Sequence, residues 1–180
     1  LVLSTILANV TATNYSTAAV VSSAANFDSD DVAHIKDACD DANMPEGGRA
    51  LVLGVAYYTN LLKDGDIKSS SAFGGSEAIR QGLIPNLYGF NLYSSTLIPG
   101  NSENLTGFAC HPSAMAVAMR YLQPQAGNTY LEARPVTDPD SGVTIGLRDW
   151  YSNDTGVRNR VLECVYGSAV GIAAGLKRIT

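Results

Sequence analysis

The stretch IRQGLIPNLYGFNLYSSTLIPG, residues 79–100, constrains the fold most, because it carries strand-like alternation through residues that break strands. Gly82, Pro85 and Gly89 punctuate it, yet Phe90 and Leu92 still place apolar side chains two positions apart. A proline removes a ladder donor and is confined to sheet edges, and a glycine at a joint marks a bend. The stretch therefore predicts strands near 83–88 and 90–95 in a bent ribbon, with at least one strand peripheral. It holds no obvious reactive group.

A chain of 180 residues buries roughly two-thirds of its unfolded surface, which suffices for one domain without a disulfide or metal staple. The apolar fraction of 46% and the 17 glycines belong to a folded chain of low charge. The net charge of −5, with no Lys/Arg run, withholds the electrostatic attraction on which nucleic-acid binding depends, so no sequence-specific nucleic-acid partner is expected. Cys39, Cys110 and Cys164 lie too far apart for a zinc knuckle or a redox pair, and read as reduced and mostly buried. Sequons begin at Asn9, Asn14, Asn104 and Asn153, but a chain this rich in Asn, Ser and Thr makes such triplets by chance. LVLSTILANV has no basic region before it and is too short to span a bilayer, so neither a signal peptide nor a membrane partner is expected. A start without methionine, in strand-like character, reads as part of something longer.

Residues 1–26 alternate β-branched and small polar residues and predict one or two strands or an extended arm. The pattern then changes to a helix over 29–44. Ser29 reads as the N-cap, Asp30 and Asp31 suit the positive helix start, Val32, Ile35, Cys39 and Ala42 form a stripe, and Pro45 is the stop. Asp37, Asp40 and Asp41 crowd the C-terminal half, where the helix dipole disfavours each by about 0.3–1 kcal/mol. Something basic should lie alongside, either a neighbouring strand or a neighbouring copy of the same protein.

Further on, 49–55 reads as a buried strand, AYYTNLLKDG as a helix closed by Gly65, and SEAIRQG as a short helix capped by Ser76 and stopped by Gly82. GFAC is a brief strand, and HPSAMAVAMRYL reads as a helix with Pro112 in its first turn, its alanines allowing close approach to a sheet. Residues 123–141 form the longest expected loop. Val143, Ile145 and Leu147 alternate in a ribbon, and Leu162, Cys164 and Tyr166 share one face of the next. The sum is an α+β architecture of antiparallel ribbons with a few helices, not a doubly wound sheet.

Reactive constellations are sparse. Cys110 precedes His111, but strand neighbours point to opposite faces, so a thiol hydrolase would need His34, which falls among carboxylates on the polar face of the 29–44 helix. The acids do not sort into one apolar and one polar pocket, as glycoside chemistry requires. GGSEAIRQG lacks the Lys-Ser/Thr step of a phosphate loop. Two distant histidines supply no metal site, and no cofactor is expected. The tyrosines and Trp150 read as half-buried anchors in a core or between subunits.

The order of motifs carries more than any one of them. DDANMPEGGRALVLGVAYYTNLLKD, IKSSSAFGGSEAIRQGLIPNLYGFNLYSSTLIP, GFACHPSAMAVAMR and VYGSAVGIAAGLKRI together resemble the C-terminal two-thirds of a tailed-bacteriophage or prophage major capsid protein of the Hong Kong 97-like coat fold, over about residues 25–180. That resemblance implies a non-enzymatic shell subunit that assembles with copies of itself into hexamers and pentamers, with scaffolding or portal proteins as further partners. It implies residence in the virion capsid, and in the host cytoplasm during assembly. It assigns 1–45 to a peripheral domain with its spine helix, 46–165 to the axial domain and 166–180 to a return to the peripheral domain, with the N-terminal arm and extended loop largely absent. Asp37, Asp40, Asp41, Arg80 and Arg134 are the candidate subunit-interface residues. The alternatives are an encapsulin-like nanocompartment shell protein and, in a different class, a hydrolase using Cys110 and His34.

Overall fold

The computed structural model describes residues 2–68, 82–84, 86–123, 130–140 and 142–180. Two compact units divide the chain: Leu1–Ala116 with Ala169–Thr180, and Val117–Ser168. These differ from the segments expected from the coat resemblance, whose assignment is taken up below as a proposal.

The first unit is built on a sheet of five strands: β1 (Ala50–Gly54), β2 (Asn86–Leu87), β3 (Phe90–Ser95), β4 (Gly107–Cys110) and, from the far end of the chain, β10 (Leu176–Ile179), in the order β10-β4-β1-β3-β2. β1 runs parallel to β3 and antiparallel to β4. The punctuated stretch behaves as expected at its centre. Leu87 pairs with Phe90 across a two-residue turn in which Tyr88 (φ 50°) and Gly89 (φ 85°) are both left-handed, the geometry that matches strand twist in a tight hairpin. β2 is an edge strand. Pro85 and the expected helix at 76–82, apart from Gly82, lie outside the described residues.

The acidic helix, α3 (Ser29–Asp41), follows two short ones, α1 (Val2–Leu7) and α2 (Ala12–Tyr15). Its cap is Asp28, one residue earlier than expected, whose carboxylate accepts from the backbone N–H groups of Asp30 and Asp31. Pro45 is not what ends it. Asn43 is left-handed (φ 53°), its N–H reaches the Asp40 carbonyl, and the Met44 N–H reaches that of Cys39. This is a Schellman closure with asparagine in the usual glycine position. Val32, Ile35 and Cys39 are buried as expected, while Met44 replaces Ala42 as the last apolar anchor.

That stripe enters one core with Leu51, Phe90 and Ile179. Full burial of side chains such as Val32 and Ile35 stabilises by about 1.5–3 kcal/mol each. The helix is therefore part of the same body as the sheet. α4 (Val55–Lys63) closes on Asp64, and Gly65 opens another short helix, α5 (Gly65–Lys68), rather than ending the first.

The N-terminal expectation of strands is corrected over most of its length. Leu7, Val10 and Tyr15 are buried in a second cluster with Phe108 and Leu176. Tertiary burial of spaced apolar residues outweighs the weak strand propensity of the segment. Only residues 19–22 run extended, exchanging backbone bonds with Arg178 and Thr180 beside β10. Arg178, itself buried, ties this corner together: its guanidinium donates to Glu103 at 2.6 Å and to the Ser16 carbonyl at 2.9 Å. Glu103 in turn accepts from the Ala12 N–H.

HPSAMAVAMRYL is not a helix. A single 3-10 turn at Pro112–Ala114 leads into β5 (Met115–Arg120), which pairs with β9 (Val165–Val170). Alanine favours helices, but Met115, Val117 and Met119 also alternate, and the available partner strand decides. In the second unit β6 (Glu132–Thr137), β7 (Thr144–Ser152) and β8 (Val157–Glu163) form an antiparallel sheet in that order. The long loop expected over 123–141 is thus largely strand from Glu132 on. Pro135 is tolerated because β6 is an edge strand.

Candidate assembly surfaces

The acidic helix displays two kinds of carboxylate. Asp40 has partners within the chain: Lys36, one turn earlier at 2.5 Å, and Arg49, just before β1, at 2.6 Å. Arg49 is only 3% exposed and also donates to the carbonyls of Pro45 and Met44, so it fastens the segment after the helix. Lys36 first, and Arg49 second, hold the Asp40 carboxyl below its ordinary range. Of the two basic partners expected for this helix, the neighbouring chain segment supplies the one for Asp40. Asp37 and Asp41 are exposed, and no described cation pairs with them. With Asp30 and His34 they follow at i, i+4, i+7 and i+11, one solvent-facing stripe.

Arg80 lies outside the described residues. Arg134 sits on β6, largely exposed, and pairs with Glu132 on the same strand at 2.6 Å. The residues that sequence reasoning missed are its neighbours across the sheet. Residues paired across antiparallel strands share a face, so Glu132, Asp149 and Arg160 stand in one row, and Arg134, Leu147 and Leu162 in the next. Asp149 is fully buried beneath two exposed arginines. Arg158 donates to it through Nε and Nη2, the latter at 2.5 Å, and Arg160 through Nη2 at 3.1 Å. Hydrogen bonds from Arg158, with smaller help from Arg160 and against some desolvation, push its carboxyl down to about 2. The alternation R-N-R at 158–160 was the only sequence signal for this fork, and the strand register was needed to bring it over Asp149.

The two faces of this sheet differ in what covers β7, although Val157 and Val161 of β8, on the tyrosine side, are exposed as well. On one, the Tyr121 ring lies against Gly146, Arg148 reaches the Leu122 carbonyl, and Tyr130 meets Trp150 edge to face at 6.2 Å. On the other, Val136, Ile145 and Tyr151 are exposed, and Leu162 is 70% exposed. No described residue of this unit packs over them as the tyrosines do on the opposite face.

The Cys110–His34 pairing gains no support. His34 is exposed on α3, and its expected thiol partner is in β4 with no hydrogen bond between them. Burial pushes the Cys110 thiol up to about 11, the wrong direction for a nucleophile. His111 is occupied as a cap, its Nδ1 2.7 Å from the Ser113 hydroxyl and accepting the Ser113 N–H. The cleft beside Cys110, about 210 Å³, is lined mainly by Leu7, Val10, Phe108 and Leu176. No group of three or more His, Cys, Asp or Glu that would hold a metal occurs among the described residues, and no described helix is long and apolar enough to cross a membrane.

An uncovered apolar sheet face beside charged side chains is the mark of a surface that meets another protein. The chain belongs to the phage capsid protein family, whose model, described as "Phage capsid protein", matches residues 1–179. No curated protein matches it. Among solved structures, a chain of Mycobacterium phage Che8 superposes with a TM-score of 0.60 at 22% identity, covering 99% of this chain and 56% of that one. A chain of the capsid structure of the cyanophage P-SCSP1u does so with a TM-score of 0.57 at 15% identity, covering 94% and 49%. At these identities the likeness is one of fold. The chain spans about half the length of the solved chains it resembles.

Proposed function

We propose that this chain is the folded body of a major capsid subunit that joins copies of itself in hexamers and pentamers to enclose a phage or prophage genome. The observation that carries the reading is the capsid family match over residues 1–179. The exposed apolar side chains of the β6–β8 sheet and the acids of α3 that no described cation pairs support it, because a subunit repeated many times needs only weak contacts at each edge. The role is structural and involves no catalytic step. Scaffolding and portal proteins are further partners, and the subunit resides in the virion after assembling in the host cytoplasm.

Within this proposal residues 1–45 belong to the peripheral domain with its spine helix, 46–165 to the axial domain and 166–180 to a return to the peripheral domain, with α3 sharing a core with β1, β3 and β10 where the first two meet. Electron microscopy of the full-length gene product tests the function: closed shells are expected, and a stable monomer under all assembly conditions overturns it.

A further inference from the structure

We propose that the Arg158–Arg160 fork of one copy receives the Asp37–Asp41 stripe of a second copy, a specific contact that rests on the capsid reading. The uncovered face of the β6–β8 sheet has the features of a docking surface. Val136, Ile145 and Leu162 are exposed apolar residues on it, and beside them two guanidiniums are held in place by a carboxylate that lies wholly beneath them. Asp149 lies beneath the two cations and Glu132, paired with Arg134, stands in the same row, so three arginines against two carboxylates keep about one surplus positive charge at this surface. Both arginines remain more than half exposed, at 58% and 59%. They are oriented before any partner arrives, which lowers the ordering cost of binding.

Charge complementarity selects the occupant. Asp37 and Asp41 are exposed, lack a described cation, and lie at a helix C-terminus where the dipole opposes them. Of the three acids crowded there, only Asp40 is matched among the described residues. The spacings agree as well. Two residues along a strand separate Arg158 from Arg160 by about 7 Å, and one helical turn separates Asp37 from Asp41 by about 6 Å. Two parallel arginine–carboxylate pairs therefore fit at once, with the apolar row beside the fork excluding water from them.

The test uses self-association of the chain at low salt, followed by sedimentation velocity, alongside electron microscopy for shells. Asp37→Lys with Asp41→Lys is the first variant; placing cations at the helix end should leave α3 folded or firmer. Reversing the fork by Arg158→Glu and Arg160→Glu would strand Asp149, so that variant also carries Asp149→Asn. Each variant alone should weaken self-association by about tenfold or more, and an equimolar mixture of the two should recover it. High salt should weaken the wild-type contact. Wild-type strength in the helix variant, or no recovery on mixing, overturns the inference even where shells still form and the capsid reading stands. A full-length product that stays monomeric under all assembly conditions overturns the capsid reading, and a chain monomeric at low salt overturns the contact.

Discussion

Asp40 Oδ1 lies 2.6 Å from Nη1 of Arg49, so the acidic end of α3 is fastened to the residue just before the central strand of the first sheet. The two ends of this pair differ in surroundings. Arg49 is 3% exposed and holds two backbone carbonyls besides, whereas the Asp40 side chain is 38% exposed. Water can replace what Asp40 loses but cannot reach what Arg49 supports. Arg49→Met should therefore cost about 2–3 kcal/mol in denaturant unfolding at pH 7, and Asp40→Asn clearly less. Equal losses would show that the ion pair, and not the carbonyl clamp, is what Arg49 contributes.

Acid should loosen the fork on the second sheet. Asp149 is depressed to about 2, first by hydrogen bonds from Arg158, so in this range the unfolded chain binds more protons than the folded one. Its stabilisation is present above about pH 4, the ordinary carboxylate range, and is lost as pH falls through about 2. Asp40 adds a loss of the same sign. Urea midpoints measured from pH 5 to 2 should fall less steeply in the Asp149→Asn chain. Identical slopes would mean that Asp149 is not held by its arginines in solution.

Thiol chemistry should be slow. Burial raises both Cys39 and Cys110 to about 11, so iodoacetamide at neutral pH should leave them unmodified in the folded chain and label them after denaturation. Mass spectrometry of the labelled peptides reads this directly. Rapid labelling of Cys110 in the native chain would revive a thiol-based activity.

Two backbone positions should respond in opposite ways to substitution. A Cβ at Gly107 would stand 2.8 Å from the Val52 carbonyl oxygen and 3.0 Å from a Leu53 methyl, so Gly107→Ala should cost about 1–3 kcal/mol by overpacking the sheet. Tyr88 is left-handed and exposed at the hairpin turn, so Tyr88→Asn should gain about 0.5 kcal/mol, since asparagine tolerates that conformation better. Thermal unfolding of both variants is the check, and a stabilised Gly107→Ala chain would contradict the close packing of β1 on β4.

Local signals in the chain were legible wherever one element's pattern was strong and uncontested. The stripe of Val32, Ile35 and Cys39, the strand at 50–54 and the hairpin around Gly89 all follow from period and turn chemistry within about a dozen residues. Segments with mixed signals were not. Ala-rich MAVAMR suits a helix in isolation and became β5 because β9 offered backbone partners. Likewise VLSTIL looked extended and became helical because Leu7, Val10 and Tyr15 had a cluster to enter.

The candidate contact residues divide along the same line. Sequence alone identified the acidic crowding of Asp37, Asp40 and Asp41, since charge and helical spacing are local properties. Which acid is neutralised at home depended on Arg49 lying against the helix end, and the fork of Arg158 and Arg160 depended on a strand register that places both over Asp149. The order of motifs already identified a coat-like chain. Pairings between distant residues were decided only in three dimensions, because burial and cross-strand register arise from the whole fold and leave no periodic trace in one segment.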